Sequence, residues 1–138
     1  MKIGILADIH GNNLALEAVL KEVKRLEITN LLVLGDIVGY YYHPDIVLEL
    51  LKGFKTTMIR GNHEDMLKLA KSSVEEEKKI RFEHGSGIPI ALKVLTGDQI
   101  KNLTDLPTSA TVTIDSCTIM LCHGAPWNND EYIYPDAP

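Results

Sequence analysis

Four short apolar runs, each ending in a metal-ligand type of side chain beside a glycine, leave this chain few folds to choose from. Ile3-Gly4-Ile5-Leu6-Ala7 leads into Asp8-Ile9-His10-Gly11, and Leu31-Leu32-Val33-Leu34 leads into Gly35-Asp36. Thr56-Thr57-Met58-Ile59 leads into Arg60-Gly61-Asn62-His63, and Ile119-Met120-Leu121-Cys122 into His123-Gly124. Each run is short, uncharged and β-rich, as a fully buried strand should be. Strands lying side by side would share a rim at their carboxyl ends, where open α/β sheets bind ligands. That rim would gather Asp8, His10, Asp36, Asn62, His63 and His123.

Helical patterns separate the first three runs. Gly11-Asn12-Asn13 offers N-cap chemistry, and Leu16, Val19, Leu20, Val23 and Leu26 then recur at helical spacing, which predicts an amphipathic helix over 13–27. Pro44-Asp45 opens a short helix that Gly53 closes, and Asn62 is placed as the N-cap of a third helix carrying Met66, Leu67 and Ala70. Strand-helix-strand-helix-strand with short connections implies right-handed crossovers and a parallel sheet. Residues 71–84 are charge-dense and read as a solvated helix face. Ile88–Leu95 and Asp98–Leu103 read as two further short helices, and the β-branched runs flanking Asp115-Ser116 as a hairpin. Residues 126–138 show no periodicity, and no repeat or linker divides the chain. The expectation is one α/β domain over 1–138.

At 138 residues and 45% hydrophobic, the chain can bury one sizeable core. Its 14 Lys and Arg against 19 Asp and Glu argue against an electrostatic grip on nucleic acid or an anionic membrane. Phosphates stay open to it if bound cations reverse the local field. Two cysteines, Cys117 and Cys122, are too few for a disulfide framework and read as buried free thiols. No run approaches the ~18 apolar residues of a membrane helix, and the N-terminal run is too short for a secretory signal, so a cytoplasmic protein is expected.

The chemistry of the rim follows from residue type. Asp8 and His10, two apart at a strand end, point the same way and can grip one ion. Asp36 has two oxygens and can bridge two ions, with Gly35 and Gly39 keeping bulk away from it. Asn62 offers an amide oxygen, and His123 an imidazole, to the second ion. Carboxylate with imidazole suits manganese first, with iron, zinc, nickel or cobalt as alternatives, better than magnesium or calcium. Two such ions about 3.5–4 Å apart can hold a hydroxide between them for in-line attack on a phosphate ester. His63 is then placed to protonate the leaving oxygen, and Glu64 to orient that imidazole.

Taken singly, these residues have plainer readings. Asp8 or Asn62 could cap a helix, Asp36 could be a turn residue, and each histidine could sit in a loop or core. Six of them at four strand ends are not explained that way. His43 and His84 read as surface residues, and Arg60 as either a phosphate contact or an ordinary strand-end arginine. Tyr40, Tyr41, Tyr42, Trp127 and Tyr132 read equally as pocket walls or as packing.

Asp8-Ile9-His10, Gly35-Asp36-Ile37-Val38-Gly39, Gly61-Asn62-His63-Glu64 and His123-Gly124, in this order, resemble the motifs of the calcineurin-like metallophosphoesterase superfamily. The resemblance covers residues 1 to about 125. It implies an αββα sandwich, a dinuclear metal centre and phosphate-ester hydrolysis. On the matching positions Asp8, His10 and Asp36 would hold the first metal, and Asp36, Asn62 and His123 the second. His63 would be the catalytic histidine. Asp8-Ile9-His10-Gly11-Asn12, Gly39-Tyr40 and Tyr132-Ile133-Tyr134-Pro135 look like the small bacterial and archaeal phosphodiesterase branch. Arg60-Gly61-Asn62-His63-Glu64 looks like the protein serine/threonine phosphatases, which carry an Asp-Arg-Gly segment where this chain has Ile37-Val38-Gly39-Tyr40. A non-catalytic binding or scaffold module of the same fold is the rival from another class.

The family pattern closes with Gly-His-x-His, and nothing like it follows His123. The expectation is therefore a second sheet that is incomplete, with an exposed edge through which two copies could pair. Weak metal binding and slow turnover are expected on the same ground. The substrate expected is a small phosphodiester or phosphomonoester.

Overall fold

The computed structural model describes residues 2–136. Strands β1 (Gly4–Leu6), β2 (Asn30–Leu34) and β3 (Lys55–Ile59) form a parallel sheet in that order, linked by helices α1 (Asn13–Arg25) and α2 (Pro44–Leu51). Leu6 pairs with Val33, which pairs with Met58. A sheet that advances in one direction through right-handed crossovers must place both helices on one face. Helices α3 (Asn62–Ser72), α4 (Val74–His84), α5 (Gly87–Val94) and α6 (Gly97–Thr104) join them there. One buried cluster runs from Leu16 and Leu20 of α1 through Leu31 and Val33 of β2. It continues to Val47, Leu67, Ile80, Ile88 and Ile100, one from each remaining helix.

The alternate residues of β2, Leu32 and Leu34, turn to the other face, because successive side chains of a strand point to opposite sides. There, with Ile59, they meet Val112, Ile119 and Leu121 of an antiparallel hairpin, β4 (Ser109–Ile114) and β5 (Cys117–Cys122). The layers are helices, parallel sheet and second sheet, an α/β fold of the sandwich kind. Local chemistry agrees with this assignment. Asn12 caps α1 by accepting from the Ala15 N–H at 3.0 Å, and Lys24 and Arg25 occupy its last turn, where basic groups favour the helix dipole. Asp115 and Ser116 at the hairpin turn both have positive φ, +49° and +67°, the handedness that two-residue hairpins need. In α4 only Ile80 is buried, as a solvated helix requires. No helix among the described residues is long and apolar enough to cross a membrane.

The fourth run forms the hairpin expected around Asp115-Ser116, which ties β5 to β4 in the second layer. Two sequence expectations are corrected here. Not every run is buried: β1 is a three-residue edge strand, and its Ile5 is 61% exposed. The thiols are not buried either, since Cys117 is exposed at the start of β5 and Cys122 ends it half-buried.

Candidate metal centre

The loops that follow the strands, rather than the strands themselves, place the ligand-type side chains. Asp8, His10 and Asp36 all have left-handed backbones, with φ of +55°, +50° and +54°. Each such residue costs about 1–3 kcal/mol, and such strain gathers at functional sites. The loop after β1 is held to the loop after β2 by N–H groups of His10 and Gly11 donating to carbonyls of Asp36 and Ile37, at 2.8 and 2.7 Å. Asp8 and His10 converge through this paired turn, not through strand alternation, because β1 ends at Leu6. The carboxyl end of β5 arrives at the same rim from the other sheet and delivers His123.

Asp36 is the hub. Its Oδ1 accepts the His63 N–H at 2.9 Å. Its Oδ2 lies 3.5 Å from His123 Nε2, 3.8 Å from His10 Nε2 and 3.9 Å from His63 Nε2. His10 Nδ1 is 3.1 Å from the Val38 carbonyl, and His123 Nδ1 is 2.7 Å from the Leu34 carbonyl. A carbonyl can only accept, so both Nδ1 atoms carry a proton, and in the singly protonated ring it is the Nε2 lone pair that turns toward Asp36. His123 Nε2 also faces Asn62 Oδ1 at 3.0 Å, a second acceptor.

The Nε2 lone pairs of His10 and His123, Asn62 Oδ1 and Asp36 Oδ2 thus converge, an arrangement that a cation relieves. Two overlapping groups share Asp36, one with His10 and His63, the other with Asp8 and His123, and the ligand atoms in each lie within 4.8 Å of one another. The donor set, carboxylate, imidazole and amide oxygen, fits a divalent transition metal. Backbone carbonyls that fix the histidine tautomers are the support such ligands usually have.

Burial pushes the Asp36 carboxyl up to about 6, against the pull of the His63 N–H. An ion takes only the ionised carboxylate, and below about pH 6 the metal-free side chain holds a proton that must first leave. Affinity for Mn²⁺ is therefore expected to fall by about tenfold per unit as pH drops below that value, on account of Asp36 alone. Calorimetric titration between pH 7 and 5 checks this, and a flat profile would contradict it. Burial, with the neighbouring His10 ring, pushes His63 down to about 4, so at neutral pH it is uncharged. Its Nδ1 is buried with no hydrogen-bond partner among the described residues.

The site stands in a cleft of about 670 Å³ whose walls include Tyr40, Met66, His84 and Tyr132. Tyr40 packs on both His10 and His63, with ring centroids 4.7 and 4.9 Å apart. His84 is therefore not simply a surface residue: at the end of α4, its ring lies 6.2 Å from that of His63. Arg60 is an ordinary structural arginine, bound to Asp65 at 2.8 Å and to the Leu106 carbonyl at 2.6 Å, and it does not line the cleft. Trp127 is exposed and donates to Glu131 at 2.8 Å.

The structure corrects the expected role of Glu64. It does not orient His63; it is fully buried, and both its oxygens accept backbone N–H groups, from Ile37 and Val38 at 2.8 and 3.1 Å and from Asp36 and Gly61 at 2.9 and 2.8 Å. Burial, with the neighbouring Asp36 carboxylate, pushes its carboxyl up to about 7, against the pull of the Gly61, Val38 and Asp36 N–H groups. The side chain clamps the Asp36 loop to the start of α3. Asn62 is also not the N-cap. Gly61 holds that position, and Asn62 is the first helical residue, so its amide is free to face the cleft.

Gly39 shields different atoms from those expected. With φ +147°, a Cβ there would stand 2.2 Å from His10 Nδ1 and 2.8 Å from His63 Nδ1, whereas Asp36 itself is cleared by Gly61. Gly39→Ala is expected to push His10 off the Val38 carbonyl and weaken Mn²⁺ binding by about 10–100-fold, the usual loss when a ligand's support is broken. Isothermal titration of the variant measures it, and unchanged binding would refute the assignment.

Sequence and fold comparisons agree with the geometry. The calcineurin-like phosphoesterase family model matches residues 1–136. An uncharacterised protein of Methanocaldococcus jannaschii is 33% identical over 137 residues, covering 97% of this chain and 54% of its own length. A hypothetical protein from Pyrococcus horikoshii superposes with a TM-score of 0.81 at 26% identity, over 99% of this chain and 60% of that one. A metallophosphoesterase from Sphaerobacter thermophilus gives 0.74 at 29% identity, over 97% and 51%. The chain thus spans little more than half the length of these relatives. With the four motifs, the shared fold and the match over nearly every residue, this chain belongs to the calcineurin-like phosphoesterase family.

Proposed function

We propose that the chain is a metal-dependent phosphoesterase acting on small phosphodiesters or phosphomonoesters. The observation that carries the reading is the set of acceptors converging on Asp36 with both flanking histidines presenting Nε2 lone pairs. Asp8, His10 and Asp36 would hold one ion, and Asp36, Asn62 and His123 the other, with manganese the first candidate. Two divalent ions, when bound, supply a nucleophile from water at neutral pH and neutralise charge on the phosphoryl oxygens.

The protein's own contribution is orientation and a proton. The Leu34 and Val38 carbonyls keep both Nε2 lone pairs aimed inward. His63, whose Nε2 faces Asp36 from inside the cleft, is placed to take up a proton as the ester binds and to pass it to the leaving oxygen. An anionic ester beside it offsets the burial that keeps it neutral. Pairing of two copies along a free edge of the β4–β5 sheet belongs to the same reading.

The test is Mn²⁺ binding together with Mn²⁺-stimulated hydrolysis of a chromogenic diester and monoester. His63→Ala is expected to lower turnover by about 10²–10⁴-fold, the usual contribution of a positioned acid, while Mn²⁺ uptake persists. A wild type with neither metal nor hydrolysis would replace this reading with the binding module.

A further inference from the structure

The stretch after β5 has no periodicity in sequence, yet it is folded against the site, and one of its residues touches a proposed ligand. Ala125 and Asn128 exchange backbone hydrogen bonds at 2.9 and 3.1 Å, closing a tight turn. Gly124 permits that turn: its φ is +63°, and a Cβ there would stand 2.9 Å from the Glu131 carbonyl oxygen and 3.1 Å from that of Asn128. The returning chain is tied to the first turn of α3 at two points one helical turn apart. Asn129 Nδ2 donates to Asp65 Oδ2 at 2.7 Å, and Asn62 Nδ2 donates to Asp130 Oδ1 at 3.0 Å. The Asp130 N–H in turn donates to Asn128 Oδ1 at 3.0 Å, which fixes the aspartate within the turn.

The second tie bears on chemistry. A carboxamide can present either its oxygen or its NH₂ to a given point, and only the oxygen can hold a cation. An ionised carboxylate only accepts, so Asp130 draws the NH₂ of Asn62 toward itself. That leaves Asn62 Oδ1 facing His123 Nε2 at 3.0 Å. Without Asp130 the amide could turn over and donate to the same nitrogen lone pair, closing the point with a neutral hydrogen bond.

We propose that Asp130 is a positioning residue for the ion on the His123 side, acting through Asn62 by selecting which end of its carboxamide faces the ion. This rests on the phosphoesterase reading of the same centre. No motif quoted from the sequence includes Asp130. Its place is fixed instead by the Gly124 turn and by α3.

Mn²⁺ titration of wild type, Asp130→Ala and Asp130→Asn tests the proposal. The alanine variant is expected to lose affinity for one of two ions by about 10–100-fold, as loss of a partner that orients a ligand does, with the other ion held as before. The asparagine variant keeps an oxygen that accepts from Asn62 Nδ2 and is expected to restore binding to near the wild-type level. Alanine binding like wild type would overturn the proposal. Asparagine failing as badly as alanine would also overturn it, because the carboxylate would then act by charge or direct ligation.

A readout in metal-free protein separates this from the wider reading. The side-chain amide protons of Asn62 should exchange slowly in wild type and Asp130→Asn and quickly in Asp130→Ala. If wild type takes up no Mn²⁺, the metal centre itself is refuted. Amide protection still shows whether Asp130 holds the carboxamide, and its absence in wild type would refute that step.

Discussion

Glu64→Ala is expected to leave this protein largely unfolded at ambient temperature. The substitution strips acceptors from four buried N–H groups, those of Asp36, Ile37, Val38 and Gly61. A buried donor left without a partner costs about 1–3 kcal/mol. Four together cost about 4–12 kcal/mol, most of a total stability of roughly 5–15 kcal/mol for a domain of this kind. Glu64→Gln should fall between alanine and wild type, because its amide keeps one accepting oxygen and turns an NH₂ toward the remaining donors. Urea denaturation of the three proteins orders them, and an alanine midpoint equal to wild type would refute the clamp. Any alanine protein that does fold should bind Mn²⁺ poorly, since three of the four donors belong to the loop that carries Asp36.

Asp36→Asn should do the opposite, sparing the fold and abolishing the site. The asparagine oxygen can still accept the His63 N–H, and its size is unchanged. Burial holds the Asp36 carboxyl near 6, above its unfolded value, so the ionised side chain opposes folding at neutral pH in metal-free protein. A neutral replacement removes that opposition, and metal-free stability should hold or rise. Mn²⁺ affinity should drop by more than about 100-fold, because Asp36 reaches three histidines at once and loss of a mere supporting partner already costs 10–100-fold. Hydrolysis should vanish with it. Near-wild-type turnover in a folded Asp36→Asn protein would end the two-ion reading.

Much of the architecture was legible in residue type and period. Leu16, Leu20 and Val23 appear on the buried face of α1 because a period of 3.6 leaves little choice. Asp115-Ser116 marks its turn as the residue types indicate. The errors fall where residue type permits two outcomes. Asn62 has N-cap chemistry, yet Gly61 takes the cap, leaving Asn62 to the cleft. Glu64, adjacent to His63 in the chain, points away from it because the Asp36 loop offers backbone donors to be satisfied.

The chain by itself therefore determines a three-stranded parallel sheet under helices and the kinds of ligand collected at its rim, since both follow from local pattern and residue chemistry. Tertiary packing decides what those ligands present. Val38 and Leu34 choose the histidine nitrogens from 28 and 89 residues away, and Asp130 faces Asn62 across 68. A tautomer or an amide orientation is set by whichever donor or acceptor lies opposite it in space, and no local period encodes that.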